Sequence, residues 1–363
     1  MKKLIALICA AALLIGLLAV PVTAESGKPL KILIVSASGV DDGNFNQDCY
    51  LGIQNFLKNH PDCTVADVEE PDTTQLVSKV ANLVGEYDVF VLPGFEFGAI
   101  GDVVLANPDK YFLVVDSGVT DSEGNPVSAP NVYTMTYKEQ ESGFLAGVAA
   151  ALSTKTGKVA VINGKPVPSN LNYQFGFMAG VNYANTKYGT KAECVEISSF
   201  SGGNGVGGNY AGSFADPATG KTVAEALIKE GCDVVFGAAG ESGKGVLDAV
   251  REAEGVWFIG CDVDQYDDGA KGDGNVVLTS ALKVMHLDVE RELTAIYDGT
   301  FAGQNAVLGA DTDSTGFVSA ADRQQLSTDA LARLDECLGK LKTKEVIPPC
   351  YPDYSPDDFP GLK

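Results

Sequence analysis

The chain has 363 residues, with 26 Lys and Arg against 48 Asp and Glu, a net charge of −22 and 45% apolar residues. That length suits two domains. The acidity, spread along the chain as on a solvated surface, argues against nucleic acid or anionic lipid as a partner, because both require a basic face.

Lys2 and Lys3 precede an apolar run over residues 4–20, and Val22-Thr23-Ala24 offers a small-residue cleavage site before Glu25. Residues 1–24 therefore read as an export signal. Cys9 lies inside the apolar run and is not placed to carry lipid at a mature N-terminus.

Strand-like apolar runs then alternate with helical patterns. Strands are expected over residues 31–38, 63–68, 88–93, 111–116, 132–137, 158–163, 193–199, 233–238, 256–262 and 276–280. Helices are expected over 49–57, with Leu51, Phe56 and Leu57 on one face, and over 74–84, 143–152, 175–188, 222–229 and 245–253. Strands that are apolar on both faces and alternate with helices imply parallel sheets covered on both sides. Ten such strands fit two sheets of about five better than one.

The corner at residues 41–47 (DDGNFNQ) joins the first strand to the first helix. In open α/β sheets such corners are where ligands sit. Phe45 beside Asn46 suits a flat molecule with polar edges, which the ring stacks on and the amide reads.

Other motifs carry less. Gly203-x-Gly205-x-x-Gly208 has dinucleotide spacing, but residues 209–214 and Pro217 follow it instead of a helix, so it reads as a loop. Asp311, Asp313, Gly316 and Asp322 have the spacing of a calcium loop with Asp where a bidentate Glu is usual. The competing reading is a polar turn between strands at 305–308 and 317–319. Beyond Cys9 there are seven cysteines, no CxxC pair and only two histidines, His60 and His286, so a zinc site is not expected. An exported chain could bridge Cys194 to Cys232 and Cys337 to Cys350. His60 sits in a polar turn and His286 in a helix with core residues, where packing roles are commonest, so no Ser-His-Asp set is indicated.

These segments together resemble the basic membrane protein family of substrate-binding proteins of ABC importers, which includes purine nucleoside receptors. The family's D-x-S-F-N-Q corner stands as DDGNFNQ, and its central segment as residues 144–159 (FLAGVAAALSTKTGKV). G-S-F-x-D-P-x-x-G-K is residues 212–221, A-G-x-x-G is 239–243, I-G-x-D-x-D-Q is 259–265 and L-T-S-x-x-K is 278–283. The resemblance implies a type I periplasmic-binding-protein fold: two doubly wound α/β domains joined by three crossovers, near Tyr137, Asp264 and Thr300. It divides the chain into residues 28–137 with 265–300, residues 138–264 with 301–345, and a tail over 346–363.

The resemblance further implies a nucleoside, probed by seven residues. Phe45 and Phe214 would sandwich the base. Asn46 and Asp116 would read its edges. Asp262 and Lys283 would hold the ribose hydroxyls, and the Gly240 backbone would close on the ligand. No metal or cofactor is implied. The implied partner is an ABC permease, and the implied state is an exported monomer. A ligand-sensing receptor component, or a nucleoside hydrolase, are the alternatives; for the hydrolase, Asp41 and Asp42 do not make the aspartate cluster that calcium-assisted chemistry needs. The chain departs from the family at Ser36, where an Asp is usual, in residues 166–171 (PVPSNL), which lack an arginine, and in its glycine-rich segment at 201–208.

Overall fold

The computed structural model describes residues 27–203, 205 and 207–352. The export signal and residues 353–363 of the tail lie outside the described residues.

The first part of the chain forms β1 (Lys31–Ser36), α1 (Phe45–Asn59), β2 (Thr64–Glu69), α2 (Leu76–Leu83), β3 (Val89–Pro93), α3 (Gly101–Ala106), β4 (Tyr111–Val115) and β5 (Val132–Tyr137). The second part forms α4 (Glu139–Ser153), β6 (Lys158–Asn163), α5 (Pro168–Tyr188), β7 (Glu193–Cys194), β8 (Asn209–Tyr210), α6 (Pro217–Lys229), β9 (Val234–Ala238), α7 (Ser242–Glu252) and β10 (Trp257–Asp262). A small hairpin, β11 (Ala270–Lys271) and β12 (Gly274–Asn275), leads into β13 (Val277–Lys283). Then come α8 (Met285–Tyr297), β14 (Gln304–Leu308), β15 (Thr315–Phe317) and α9 (Thr328–Lys342).

One sheet runs β2-β1-β3-β4-β5-β14 and the other β7-β6-β9-β10-β13-β15, with β8 beside β6. Both have the same winding order, and only β15 pairs antiparallel in them. The strands β3, β4 and β9 are buried along their whole length. Apolar surface on both faces of a strand must be covered twice. In the first domain α1 and α8 cover one face and α2 and α3 the other. In the second, α4, α5 and α9 cover one face and α6 and α7 the other.

α1 begins at Phe45 and buries Cys49, Ile53 and Phe56, while Leu51, expected on the buried face, is exposed. The expected strand at 193–199 stops at Cys194. Beyond it the Asn209 side chain takes over the ladder, accepting from Ile197 N and donating to the Val161 and Val195 carbonyls. The second and third crossovers also fall elsewhere than expected. β13 stays in the second sheet to Lys283, so residues 265–283 belong to the second domain. β14 lies in the first sheet, so residues 304–308 belong to the first. The chain therefore crosses after Tyr137, Lys283 and Leu308. A strand's own pattern does not say which of two similar sheets it joins.

The crossovers are tied together. Lys138 N donates to Leu308 O and Val284 N to Ser314 O. The Glu141 carboxylate accepts from Ala310 N at 2.6 Å and Thr315 Oγ1 at 2.7 Å. The calcium-like spacing is spent on this region. Asp311 pairs with Lys138 and Lys344, and Asp313 with Lys342. Among the described residues no cluster of His, Cys, Asp or Glu could hold a metal ion. Neither considered disulfide forms, since Cys194, Cys232 and Cys337 are thiols.

α4 and α5 approach each other through glycines. A Cβ on Gly147 would lie 2.0 Å from the Phe177 carbonyl, and one on Gly180 2.1 Å from the Phe144 carbonyl. Gly147→Val should therefore cost about 3 kcal/mol, the upper range for overpacking, read as a lower urea midpoint. Gly339→Ala, at an exposed position of α9 with open space around the added methyl, should instead gain up to about 1 kcal/mol. Equal effects at the two sites would refute the close packing.

Candidate functional site

The corner after β1 is built by Asp42. Its carboxylate accepts from the backbone N–H groups of Asn44, Asn46 and Gln47, each at 3.0 Å, and so caps α1. The cap fixes Phe45 and Asn46 in the first helical turn, at the C-terminal edge of the first sheet. Asn46 Nδ2 donates to Ser38 Oγ at 3.0 Å.

Asp116 and Asp262 occupy equivalent places in the two sheets, at the ends of β4 and β10, each fourth in its sheet's winding. Both have left-handed backbones, φ 65° and 66°. That conformation is costly for residues other than glycine, and least so for Asn and Asp. It ends each strand sharply at the edge where the two domains meet. No helix follows Asp116, so it is not a helix cap. One of its oxygens, Oδ1, is buried without a hydrogen-bond partner.

Lys283 ends β13 and is 2% exposed. A solvated helical position, the reading its own sequence context favours, is not what the structure has. Its Nζ lies 2.6 Å from Asp116 Oδ2 and 3.3 Å from Glu139 Oε1. The same ammonium lies 5.2 Å from the Phe45 ring centroid, 5.5 Å from that of Tyr137 and 5.7 Å from that of Tyr173. Lys283 thus bridges to Asp116 of the other domain, while Asp262 Oδ1 accepts from Tyr173 OH at 2.7 Å. Burial pulls the lysine's pKa down, but Asp116, Glu139 and Asp262 outweigh it, and the group is held above the ordinary lysine value. Burial raises Asp116 against the pull of Lys283.

Burial also pushes Glu139 up to about 7, opposed by Lys283 and reinforced by Asp116. An unfolded glutamate titrates near 4.3. Between these values the unfolded chain releases the proton while the folded one keeps it, so stability falls as pH rises through this window and is flat in this respect above it. Glu139→Gln should flatten that slope in urea titrations between pH 4.5 and 7.5. Glu292, which burial also raises to about 7, leaves a residual slope in both proteins. Parallel curves for the two would show that Glu139 is not raised.

Phe214 precedes α6 on the opposite domain from Phe45. Its ring lies where a Cβ on Gly164 would come within 2.3 Å, and Gly240, at φ 56°, backs onto the Phe214 backbone and Cβ. Gly164 is thus needed to seat the ring, and Gly240 for its left-handed turn. Across the cleft, the Phe95 and Phe214 ring centroids are 6.4 Å apart and tilted by 54°.

All seven residues singled out from the sequence line one interdomain cleft, with a cavity volume of about 150 Å³. Sequence reading missed Phe95, Glu96 and Tyr173, which line it too, and Glu139 behind it. Tyr173 and Glu139 sit in helices with no local mark of function. Phe95 and Glu96 did have a usable signal, since they lie just beyond the apolar run at 89–93, one glycine past the strand end.

The two domains, the three crossovers and the cleft between the C-terminal strand edges define a solute-binding protein of the type I periplasmic-binding-protein fold. A family model described as "Bmp: ABC transporter substrate-binding protein PnrA-like" matches residues 30–201 and 205–350, and the chain belongs to that family. It is 29% identical to a CD4+ T-cell-stimulating antigen of Listeria monocytogenes over 90% of both chains. It is 32% identical to the ABC transporter nucleoside-binding protein BmpA of Lactococcus lactis, covering 76% of this chain and 77% of that one. A solved structure of an ABC transporter solute-binding protein from Aeropyrum pernix K1 superposes with a TM-score of 0.75 over 90% of this chain and 95% of the other, at 24% identity, a likeness of fold. The chain is therefore a substrate-binding component of an ABC transporter, whose role is to hold a small molecule rather than to transform it.

Proposed function

We propose that the protein binds a purine nucleoside in its interdomain cleft and hands it to an ABC permease. The observation that carries this reading is the pairing of two aromatic rings, Phe45 and Phe214, from opposite domains in one cleft with Asp116, Asp262 and Lys283. Rings on two sides suit a planar base. Carboxylates and an ammonium give charge-assisted hydrogen bonds to sugar hydroxyls and base N–H groups. The printed function of the Lactococcus lactis relative supports the same ligand class.

The charge balance favours a neutral ligand. Asp42, Glu96, Asp116, Glu241 and Asp262 line the cleft, and among the described residues Lys283 is its one lining cation. A nucleotide phosphate would meet more like charge than opposite charge there. The protein is read as exported by its N-terminal signal and as a monomer that closes by a hinge at the three crossovers.

A thermal-shift screen of the mature protein across nucleosides, nucleotides, free bases and sugars tests this. Nucleosides should raise the melting temperature with the logarithm of concentration over Kd, and their 5′-phosphates should do so less. Stabilisation by sugars alone would overturn the reading.

A further inference from the structure

Every carboxylate of the cleft except Glu96 is tied to another residue, although Asp116 Oδ1 stays without a hydrogen-bond partner. Asp42 caps α1, Asp116 pairs with Lys283, Asp262 takes the Tyr173 hydroxyl, and Glu241 pairs with Lys244 at 3.2 Å. Glu96 lines the same cleft without an ion pair among the described residues. It sits in a 3-10 turn (Phe95–Ala99) that follows β3. The turn is entered through Gly94 at φ 126°, and a Cβ on that glycine would lie 2.5 Å from Glu96 Oε2. The carboxylate is thus folded back over the bare Gly94 backbone, beside Phe95, which meets Phe214 across the cleft. A side chain at residue 94 would push it away. Burial raises the Glu96 carboxyl above its ordinary value, while a hydrogen bond from its own backbone N–H and the charge of Lys165 on the facing domain draw it partly back. The carboxylate is therefore partly desolvated and keeps accepting capacity that its own N–H does not fill.

We propose that Glu96 reads the Watson–Crick edge of the bound base and makes the site selective for 6-oxopurine nucleosides, guanosine above all, over adenosine. This rests on the nucleoside reading. If the base stacks against Phe214, the neighbouring turn puts Glu96 at its rim. Guanine offers N1–H and N2–H as adjacent donors that one carboxylate accepts together, the geometry that makes bidentate pairs strong. Inosine offers N1–H alone. Adenine turns an N1 lone pair toward the carboxylate, which leaves a desolvated charge facing an acceptor. Sites built to accept a particular ligand N–H discriminate strongly against analogues without it, because the buried group is then left unpaired.

The experiment is calorimetric titration of wild type and Glu96→Gln with guanosine, inosine, adenosine and 1-methylguanosine. Wild type should favour guanosine over adenosine, and guanosine over 1-methylguanosine, by at least about tenfold, with inosine between. Glu96→Gln should compress both ratios to within about threefold, mainly by weakening guanosine. If the variant keeps the wild-type ratios, or wild type binds all four alike, the role of Glu96 is overturned while nucleoside binding stands. If wild type binds none of the four, both readings fall. Should the variant not fold, the 1-methylguanosine ratio on wild type decides alone, since it removes the same hydrogen bond from the ligand side.

Discussion

Lys283→Met should destabilise the unliganded protein by about 3–5 kcal/mol at neutral pH, the range for removing one partner of a buried ion pair. The ammonium is almost wholly buried and faces Asp116 and Glu139 from two different elements. Methionine matches its length and keeps contact with Phe45, Tyr137 and Tyr173, so packing changes little. What remains is two buried carboxylates with no cation. Both should then titrate at still higher pH. Since a raised carboxyl pKa makes stability fall as pH rises, the damage should be greater at pH 8 than at pH 5. Urea denaturation at both values measures it. Equal losses at the two would mean that the lysine acts through its alkyl chain alone. Adding Asp116→Asn and Glu139→Gln to the variant should recover much of the loss, because a neutral set no longer needs the charge. The same network links the domains, Lys283 of the second holding Asp116 of the first, so this substitution should also alter how readily the cleft opens.

Phe214→Ala should weaken nucleoside binding by about 1–3 kcal/mol, roughly 5- to 150-fold, the range for removing one aromatic stacking partner from a base. The ring projects into the cleft over Gly164 and is not part of either domain's buried core, so the melting temperature without ligand should fall only slightly. Calorimetry on the variant checks the affinity. An unchanged Kd would mean that the ring closes the cleft against Phe95 without touching ligand. Phe95→Ala separates these outcomes: a ring that only seals the mouth should be as costly to lose at 95 as at 214.

Much of this protein was legible from local sequence, for identifiable reasons. Runs such as residues 31–36, 89–93 and 111–115 are apolar on both faces, and only a covered parallel sheet satisfies such a strand. Asp116 and Asp262 each stand directly after such a run, so their place at a sheet edge follows from the pattern. Phe45 and Asn46 were marked by the strand-to-helix corner, and the ordered family motifs added Phe214, Gly240 and Lys283. Glu139 and Tyr173 gave no such mark. A glutamate in the first turn of a helix usually serves the helix dipole, and a tyrosine on a mostly buried helix usually packs. Their roles depend on Lys283 and Asp262, more than eighty residues away in the chain.

What the sequence determined by itself was the class of architecture and the residues at strand ends. Those follow from periodicity and burial, which are properties of short segments. How those residues combine followed from the folded arrangement alone. Lys283 joined Asp116 and Glu139, β13 and β14 sorted into opposite sheets, and Asp311 and Asp313 paired with lysines. Each of these outcomes depends on charges and strand edges brought together from distant parts of the chain. Pairing of that kind is decided by which groups end up desolvated side by side, and no local pattern records it.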